Sequence, residues 1–281
     1  MFVTRFAPSP TGYLHQGHAF AALTAHAAAQ GGPFLLRIED LDARRAREAF
    51  VEAIFEDLRW LGISWEQPVL RQSTRTPEYK AALERLSSLG LIYPCFCTRA
   101  EIAAEIARSA EAPHGPNGPV YPGTCRQLSL SDRRALEDSG AAFALRLDSA
   151  RSAERVGPLW FDQSPCFPYT RYERISVDPL LFGDVVLARK DTPASYHLAV
   201  VIDDAAQGVT LVTRGRDLLP STHVQRVLQG LLELPAPKYA HHRLILDGGQ
   251  KLSKREGARP LRHYRDAGLT PAGIAAMLER S

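Results

Sequence analysis

His15 and His18 stand three residues apart in the stretch RFAPSPTGYLHQGH, which runs from Arg5 to His18. Imidazoles at that spacing share one face of a helix's first turn, and both can donate hydrogen bonds to phosphate oxygens. Gly12 and Gly17 carry no Cβ and let the backbone come close to a ligand. Far downstream, KLSKR (Lys251 to Arg255) follows the turn-forming Asp247-Gly248-Gly249, and two lysines flanking a serine on a loop can neutralise a polyphosphate. Arg214 ends an apolar run beside Gly215, where its guanidinium can grip a carboxylate in fork geometry. Cys95, Cys97 and Cys125 supply three of the four ligands that zinc takes. The residues leave the fourth ligand open among His114, Tyr121 and water, with histidine the commoner choice on chemical grounds. Three buried free thiols are the plainer alternative, which the CxC pair disfavours.

These groups need elements to position them. Met1 to Thr4 reads as a short apolar strand, and Ala19 to Gln30 as an alanine-rich helix stopped by Gly31, Gly32 and Pro33. The histidine motif is then a loop that leaves a strand and enters a helix N-terminus, where free N–H groups and the helix dipole attract anions. Taken alone, two histidines at a helix start favour an ordinary strand–turn–helix connection; the lysine loop tips the balance to phosphate binding. Phe34 to Glu39 reads as a second buried strand. Arg5 and Glu39 thus fall at the ends of two strands and face one crevice, as ligand residues or as an ion pair with each other. Asp40 and Asp42 are expected to cap the next helix, Ala43 to Gly62, whose apolar stripe is Phe50, Ile54, Leu58 and Leu61. Its Arg44, Arg45, Arg47 and Arg59 form the solvated face. A strand at Pro68 to Arg71 and a helix from Thr76 to Gly90 complete an alternation that predicts a parallel sheet.

At Leu91 the pattern breaks. A helix, a Pro/Gly-rich loop from Ala112 to Gly123, a further helix from Ser129 and strands at Ala142 to Leu147 and Leu181 to Lys190 read as an insertion, with few helix signals between Arg151 and Ile175. Cys166 stands apart as a core residue. The α/β pattern returns at Tyr196, with Val209 to Thr213 a strand and Pro220 to Leu234 a helix. The expected divisions are residues 1–92 and 191–235 as two halves of one catalytic domain, 93–190 as the insertion, and 236–281 as the lysine loop with two short helices, Pro260 to Ala267 and Pro271 to Arg280.

Bulk numbers constrain the function class. A chain of 281 residues is one large domain or two small ones. Its net charge of +3 permits a nucleic-acid face without forcing one. No window is long and apolar enough to span a bilayer and no signal peptide precedes Phe2, so a cytoplasmic protein without membrane contact is expected. Four cysteines in so long a chain argue against a disulfide scaffold.

PSPTGxLHxGH near the start and KLSK near the end resemble the HIGH and KMSKS elements of class I aminoacyl-tRNA synthetases, and RFAPSPTG with RIED (Arg37 to Asp40) resembles the glutamyl/glutaminyl branch. The resemblance runs from Phe2 to about Arg255. It implies an α/β fold, a class I synthetase-like Rossmann domain with a parallel sheet, split by a zinc-bearing α+β insertion. It also implies ATP-dependent activation of an amino acid, with Mg²⁺ accompanying ATP. Pro10, Gly12, His15, Gly17, His18, Lys251 and Lys254 would bind ATP, with His15, His18 and Lys254 catalytic. Arg5, Phe6, Ala7, Pro8, Ser9, Glu39, Tyr196 and Arg214 would form the amino-acid pocket. An arginine at position 214 favours L-glutamate, because glutamine would leave its charge unpaired.

The stretch after Arg255 is too short for an anticodon-binding domain. Together with CxC…YxxxC in the insertion, this resembles the short glutamyl-Q tRNA(Asp) synthetases. That resemblance favours Tyr121 as the fourth ligand of a structural zinc, beside Cys95, Cys97 and Cys125. It implies glutamate activation without tRNA, then transfer to queuosine in the anticodon loop of tRNA(Asp), by a monomer. Two alternatives stand beside it: a truncated glutamyl-tRNA synthetase that charges a tRNA 3′ end, and a non-enzymatic paralogue that binds glutamate or adenylate.

Overall fold

The computed structural model describes residues 1–108, 114–116, 118–164, 169, 171–247, 250–251 and 259–280. The chain begins with β1 (Thr4–Phe6), α1 (Gln16–Ala28), β2 (Phe34–Ile38), α2 (Glu48–Trp60), β3 (Glu66–Arg71) and α3 (Thr76–Ser88). Then come β4 (Ile92–Cys95), α4 (Arg99–Arg108), β5 (His114–Gly115), β6 (Gly118–Pro119), α5 (Leu130–Asp138), β7 (Ala144–Leu147), α6 (Ser149–Val156), β8 (Trp160–Ser164), β9 (Glu173–Ser176) and β10 (Val186–Arg189). The last part holds α7 (Tyr196–Ala206), β11 (Leu211–Gly215), α8 (Ser221–Leu232), β12 (Lys238–His242), β13 (Leu246–Asp247), β14 (Gln250–Lys251), α9 (Leu261–Asp266) and α10 (Pro271–Arg280).

The expected parallel sheet forms as two ladders, β1-β2-β3 and β11-β12-β8, with β9 antiparallel at the far edge of β8. They meet where the backbone N–H of Leu211 donates to Val3 O (3.2 Å) and Val3 N–H donates to Thr210 Oγ1 (2.9 Å). From that seam β1 leads outward to β2 and β3, and β11 leads outward to β12. It is therefore the switch point of the sheet, where α/β folds open a ligand crevice at the strands' carboxyl ends. The alanines of α1 let it lie close on β1 and β11: Ala19, Ala22, Ala25 and Ala28 are all buried. A second core joins α3, α7 and α8 through Tyr79, Leu86, Leu198 and Leu228.

Several sequence expectations are corrected. The first strand starts at Thr4 and ends at Phe6, so Arg5 lies inside it rather than beyond its end. Helix α2 starts at Glu48 rather than Ala43, because Asp40 and Asp42 do not cap it. Asp42 instead accepts from Arg45 (2.6 Å), and Asp40 accepts from the N–H and hydroxyl of Ser73 (both 2.8 Å). A helix, α6, fills Ser149–Val156, capped by Asp148, and runs into the Arg151 to Ile175 span that offered few helix signals. Finally, β8 pairs with β12 in the main sheet, inside the stretch 93–190 expected as an insertion. Phe161 anchors it there against Val212 and Tyr239. What stands outside the main sheet is the antiparallel β10-β7-β4 sheet with α4 and α5. Among the described residues no helix is long and apolar enough to cross a membrane.

Candidate active site

Charged side chains gather, largely buried, at the switch point. Arg5 Nε donates to Asp204 Oδ1 (2.9 Å), and Arg37 Nη1 donates to the same oxygen (2.6 Å). Arg37 Nη2 reaches Glu39 Oε1 (3.2 Å). Arg5 and Glu39 therefore do not pair with each other, the alternative weighed above; each has its own partner, Asp204 and Arg37. Arg37 has no exposed side-chain surface, and its three neighbouring carboxylates, Asp204, Glu39 and Asp203, outweigh burial and hold its proton more firmly than usual. Burial pushes Glu39 above the ordinary carboxylate range despite Arg37 and Arg5. Arg37 and Asp204 were missed as site residues; an arginine in the apolar strand FLLRI and an aspartate closing the apolar run before Gln207 were the available signals.

Arg214, at the end of β11, is 6% exposed. Its Nε donates to His241 Nε2 (3.0 Å), Nη1 to Gln225 Oε1 (2.8 Å) and Tyr196 OH (3.4 Å), and Nη2 to Thr222 Oγ1 (2.7 Å). Among the described residues no carboxylate pairs with it. Its field, added to burial, pushes His197 down to about 4 and His241 down to about 2, so both rings are neutral. Arg5 Nη1 donates to the carbonyl of Thr213, the residue before Arg214, which puts the two guanidinium-bearing strands side by side. Arg5 and Arg37 thus have carboxylate partners in Asp204 and Glu39, whereas Arg214 has none among the described residues, and its unbalanced positive charge invites an anion.

The loop between β1 and α1 is tied down on each side. Glu39 N–H donates to Pro8 O (3.0 Å), Arg47 N–H to Pro10 O (3.1 Å) and Leu261 N–H to Leu14 O (2.8 Å). His15 is the N-cap of α1: its Nδ1 accepts from Gly17 N–H (3.1 Å), while His18 Nδ1 accepts from His15 N–H (3.2 Å). With both Nδ1 atoms acting as acceptors, each ring is neutral and keeps its proton on Nε2. A Cβ at position 17 would lie 3.0 Å from His15 Cε1, so any larger residue there presses on the capping ring. Lys251 falls in β14; Lys254 lies outside the described residues. Further along the chain, Pro260 bridges back to His15.

In the β10-β7-β4 domain, Cys95, Cys97 and Cys125 bring their sulfurs within 4.8 Å of one another. Cys97 Sγ is 3.3 Å from Cys125 Sγ, and Tyr121 OH is 3.4 Å from Cys95 Sγ and 3.5 Å from Cys97 Sγ. A tetrahedron of Zn–S bonds near 2.3 Å has edges of about 3.8 Å, so the three thiols have the donor chemistry and roughly the spacing to hold a metal ion, with the Tyr121 hydroxyl beside them. The Tyr121 hydroxyl also accepts from Cys125 N–H (2.9 Å), and Arg146 stacks 3.9 Å above its ring. Burial pushes the Cys97 thiol up to about 12. The side chain of His114, the other candidate fourth ligand, and Cys166 lie outside the described residues. Beside the cluster, buried Asp184 gathers Tyr93 OH (2.5 Å), Ser149 Oγ (2.7 Å) and Arg126 Nη1 (3.0 Å) and ties the insertion together.

Comparison with known proteins places this geometry. A family profile described as tRNA synthetases class I (E and Q), catalytic domain, matches residues 1–281. The chain is 49% identical to a Rhodobacter capsulatus protein named glutamyl-Q tRNA(Asp) synthetase, over 98% of this chain and 99% of that one. A Nocardia farcinica protein of the same name is 48% identical over 99% of this chain and 83% of its own length. Among solved structures, a glutamate tRNA ligase from Elizabethkingia meningosepticum in complex with its amino acid is similar at a TM-score of 0.78 and 27% identity. That match covers 99% of this chain but 60% of the ligase, so the chain spans about three fifths of its length.

Proposed function

The chain belongs to the class I (E and Q) tRNA synthetase family and, within it, stands with the relatives named glutamyl-Q tRNA(Asp) synthetase; on that premise we propose that it activates L-glutamate with ATP in the absence of tRNA and transfers it to queuosine in the anticodon loop of tRNA(Asp). It is an ATP-dependent ligase of the class I synthetase type. The observation that carries the choice of amino acid is Arg214: a buried guanidinium held, among the described residues, only by neutral acceptors presents its charge to a carboxylate. Glutamate completes that pair. Glutamine leaves it open, at a cost of about 1–3 kcal/mol or more.

In this reading Arg214, Tyr196 and Arg5 hold the side-chain carboxylate, and Phe6 to Ser9 form the pocket wall. Glu39, whose charge burial disfavours, gains when the substrate ammonium comes within reach. The α-carboxylate attacks the α-phosphorus of ATP, the new C–O–P anhydride forms, and pyrophosphate leaves. Little proton transfer is needed, so positioning and charge neutralisation do the catalysis. His15 and His18 donate from Nε2 to phosphate oxygens at the N-terminus of α1, beside Pro10, Gly12 and Gly17. Lys254, assisted by Lys251, holds the leaving pyrophosphate, and Mg²⁺ accompanies ATP. Cys95, Cys97, Cys125 and Tyr121 would hold a zinc ion that folds the insertion; it lies outside the crevice and takes no part in the chemistry. The acceptor is a single-stranded loop, the usual target of sequence-specific RNA recognition, and arginine-mediated binding makes it salt-sensitive.

The test is incorporation of labelled glutamate into two tRNA(Asp) pools, one with queuosine and one without, beside tRNA(Glu). Label confined to the queuosine pool supports the reading. Label in tRNA(Glu), or equal label in both tRNA(Asp) pools, replaces it with 3′-end charging, the activity suggested by the likeness to the glutamate tRNA ligase.

A further inference from the structure

Gln225 is 2% exposed, on α8, and Arg214 presents only donors to it, so its amide oxygen must face the guanidinium. Its Nε2 is then left buried without a partner. A glutamate at this position has the same reach and accepts the same hydrogen bond. It leaves no orphaned donor and gives the buried arginine a counter-charge. Judged by stability alone, the amide is the poorer choice. The other acceptors follow the same rule. Thr222 offers a hydroxyl, and His241 offers a neutral Nε2 because its Nδ1–H is committed to Gln163 Oε1 (2.6 Å), itself fixed by Gln163 Nε2 donating to Ser164 O (2.9 Å). Asp204 lies in the same crevice, but its partners are Arg5 and Arg37.

Resting on the reading of the crevice as the glutamate site, we propose that Gln225 is a specificity-determining positioning residue: it fixes Arg214 without neutralising it, so that only an anionic amino-acid side chain completes the site. Thr222 and His241 share the work. The enclosure forgoes an internal ion pair, and the substrate supplies it instead.

Glutamate-dependent ATP–pyrophosphate exchange reads this directly, since it needs no acceptor. Gln225→Glu is expected to raise the KM for glutamate at least about 100-fold, because the new carboxylate occupies the charge the substrate would meet. Its kcat/KM ratio for glutamate over glutamine falls by a similar factor, and its melting temperature equals or exceeds that of the unsubstituted protein. Gln225→Met loses the hydrogen bond but adds no charge, and raises KM by less than about 10-fold. A merely structural role gives the opposite order, with methionine the more damaging. That order, or an unchanged KM in Gln225→Glu, overturns the proposal while leaving the glutamate site standing. If Gln225→Glu does not fold, Thr222→Asp brings a carboxylate to Nη2 of Arg214 from another position, and a folded Thr222→Asp with unchanged KM overturns the proposal equally. Absence of exchange in the unsubstituted protein overturns the glutamate reading itself, and this inference with it.

Discussion

Arg5 Nε and Asp204 Oδ1 lie 2.9 Å apart, joining β1 to α7 across the switch point of the sheet. Arg37 donates to the same oxygen and also pairs with Glu39, so the Asp204 carboxylate is shared between two buried guanidiniums. Burial pushes the Asp204 carboxyl up, but Arg5 and Arg37 together hold it below its ordinary 3.8. Asp204→Asn leaves both arginines without that charge and is expected to cost about 3–5 kcal/mol of stability at pH 7. Because the folded carboxyl is the more acidic, its contribution is present above pH 3.8 and is lost as pH falls below that value. Urea titrations of both proteins at pH 7 and pH 3 check this: the difference between them should shrink at the lower pH.

Arg214→Ala is expected to remove glutamate-dependent pyrophosphate exchange, on the order of a 1,000-fold loss in kcat/KM for glutamate, while ATP binding is largely retained. Arg214→Lys should rescue little. The natural side chain spreads its donors over Thr222, Gln225, Tyr196 and His241 at once, and a single ammonium cannot reproduce that fork. Exchange at the unsubstituted level in Arg214→Ala would remove this residue from the substrate site.

Cys97 is the ligand candidate that touches both Cys125 and Tyr121. Purified protein is expected to carry about one zinc per chain, and Cys97→Ser to carry none. The loss should appear as a lower melting temperature, and a chelator should reproduce it. The geometry predicts no direct effect on the crevice, because the cluster packs in its own small core with Tyr93, Phe96 and Leu128. Elemental analysis alongside thermal melts decides it, and a zinc-free purified protein with an unchanged melt would leave the cluster as buried thiols.

The chemistry-bearing residues were more legible than the scaffold around them. The strand–loop–helix at Arg5 to His18, the strand ending at Arg214 and the three cysteines announce themselves by residue type and spacing, whereas Tyr121, which the fold sets beside the cysteines, was singled out by the family resemblance alone. Local signals said less where tertiary packing decides. Strand β8 reads as part of an insertion, because nothing in WFDQS reveals that Phe161 will pack on Tyr239. Asp40 looks like a helix cap but serves Ser73 across 33 residues. The neutral enclosure of Arg214 draws Gln163 from β8, Thr222 and Gln225 from α8 and His241 from β12, and no sequence window contains it.

Asp57 supplies the clearest pH dependence. It sits on α2 with its side chain 2% exposed, one oxygen 3.1 Å from Arg265 Nη1 of α9 and the other buried without a partner. Burial, opposed by Arg265 and reinforced by Glu56 and Asp266, pushes the carboxyl up to about 6 from an ordinary 3.8. The folded state therefore binds this proton more tightly than the unfolded chain does. As pH rises from 3.8 to about 6 the folded protein must give it up, and stability falls across that window by on the order of 2–3 kcal/mol, then levels off. Asp57→Asn should flatten that descent. Arg265→Met removes the charge that favours the carboxylate, so it should move the upper end of the window to higher pH and deepen the fall. Urea unfolding of the three proteins at half-unit steps from pH 4 to pH 8 separates the outcomes, and a descent that persists in Asp57→Asn would assign it to another group.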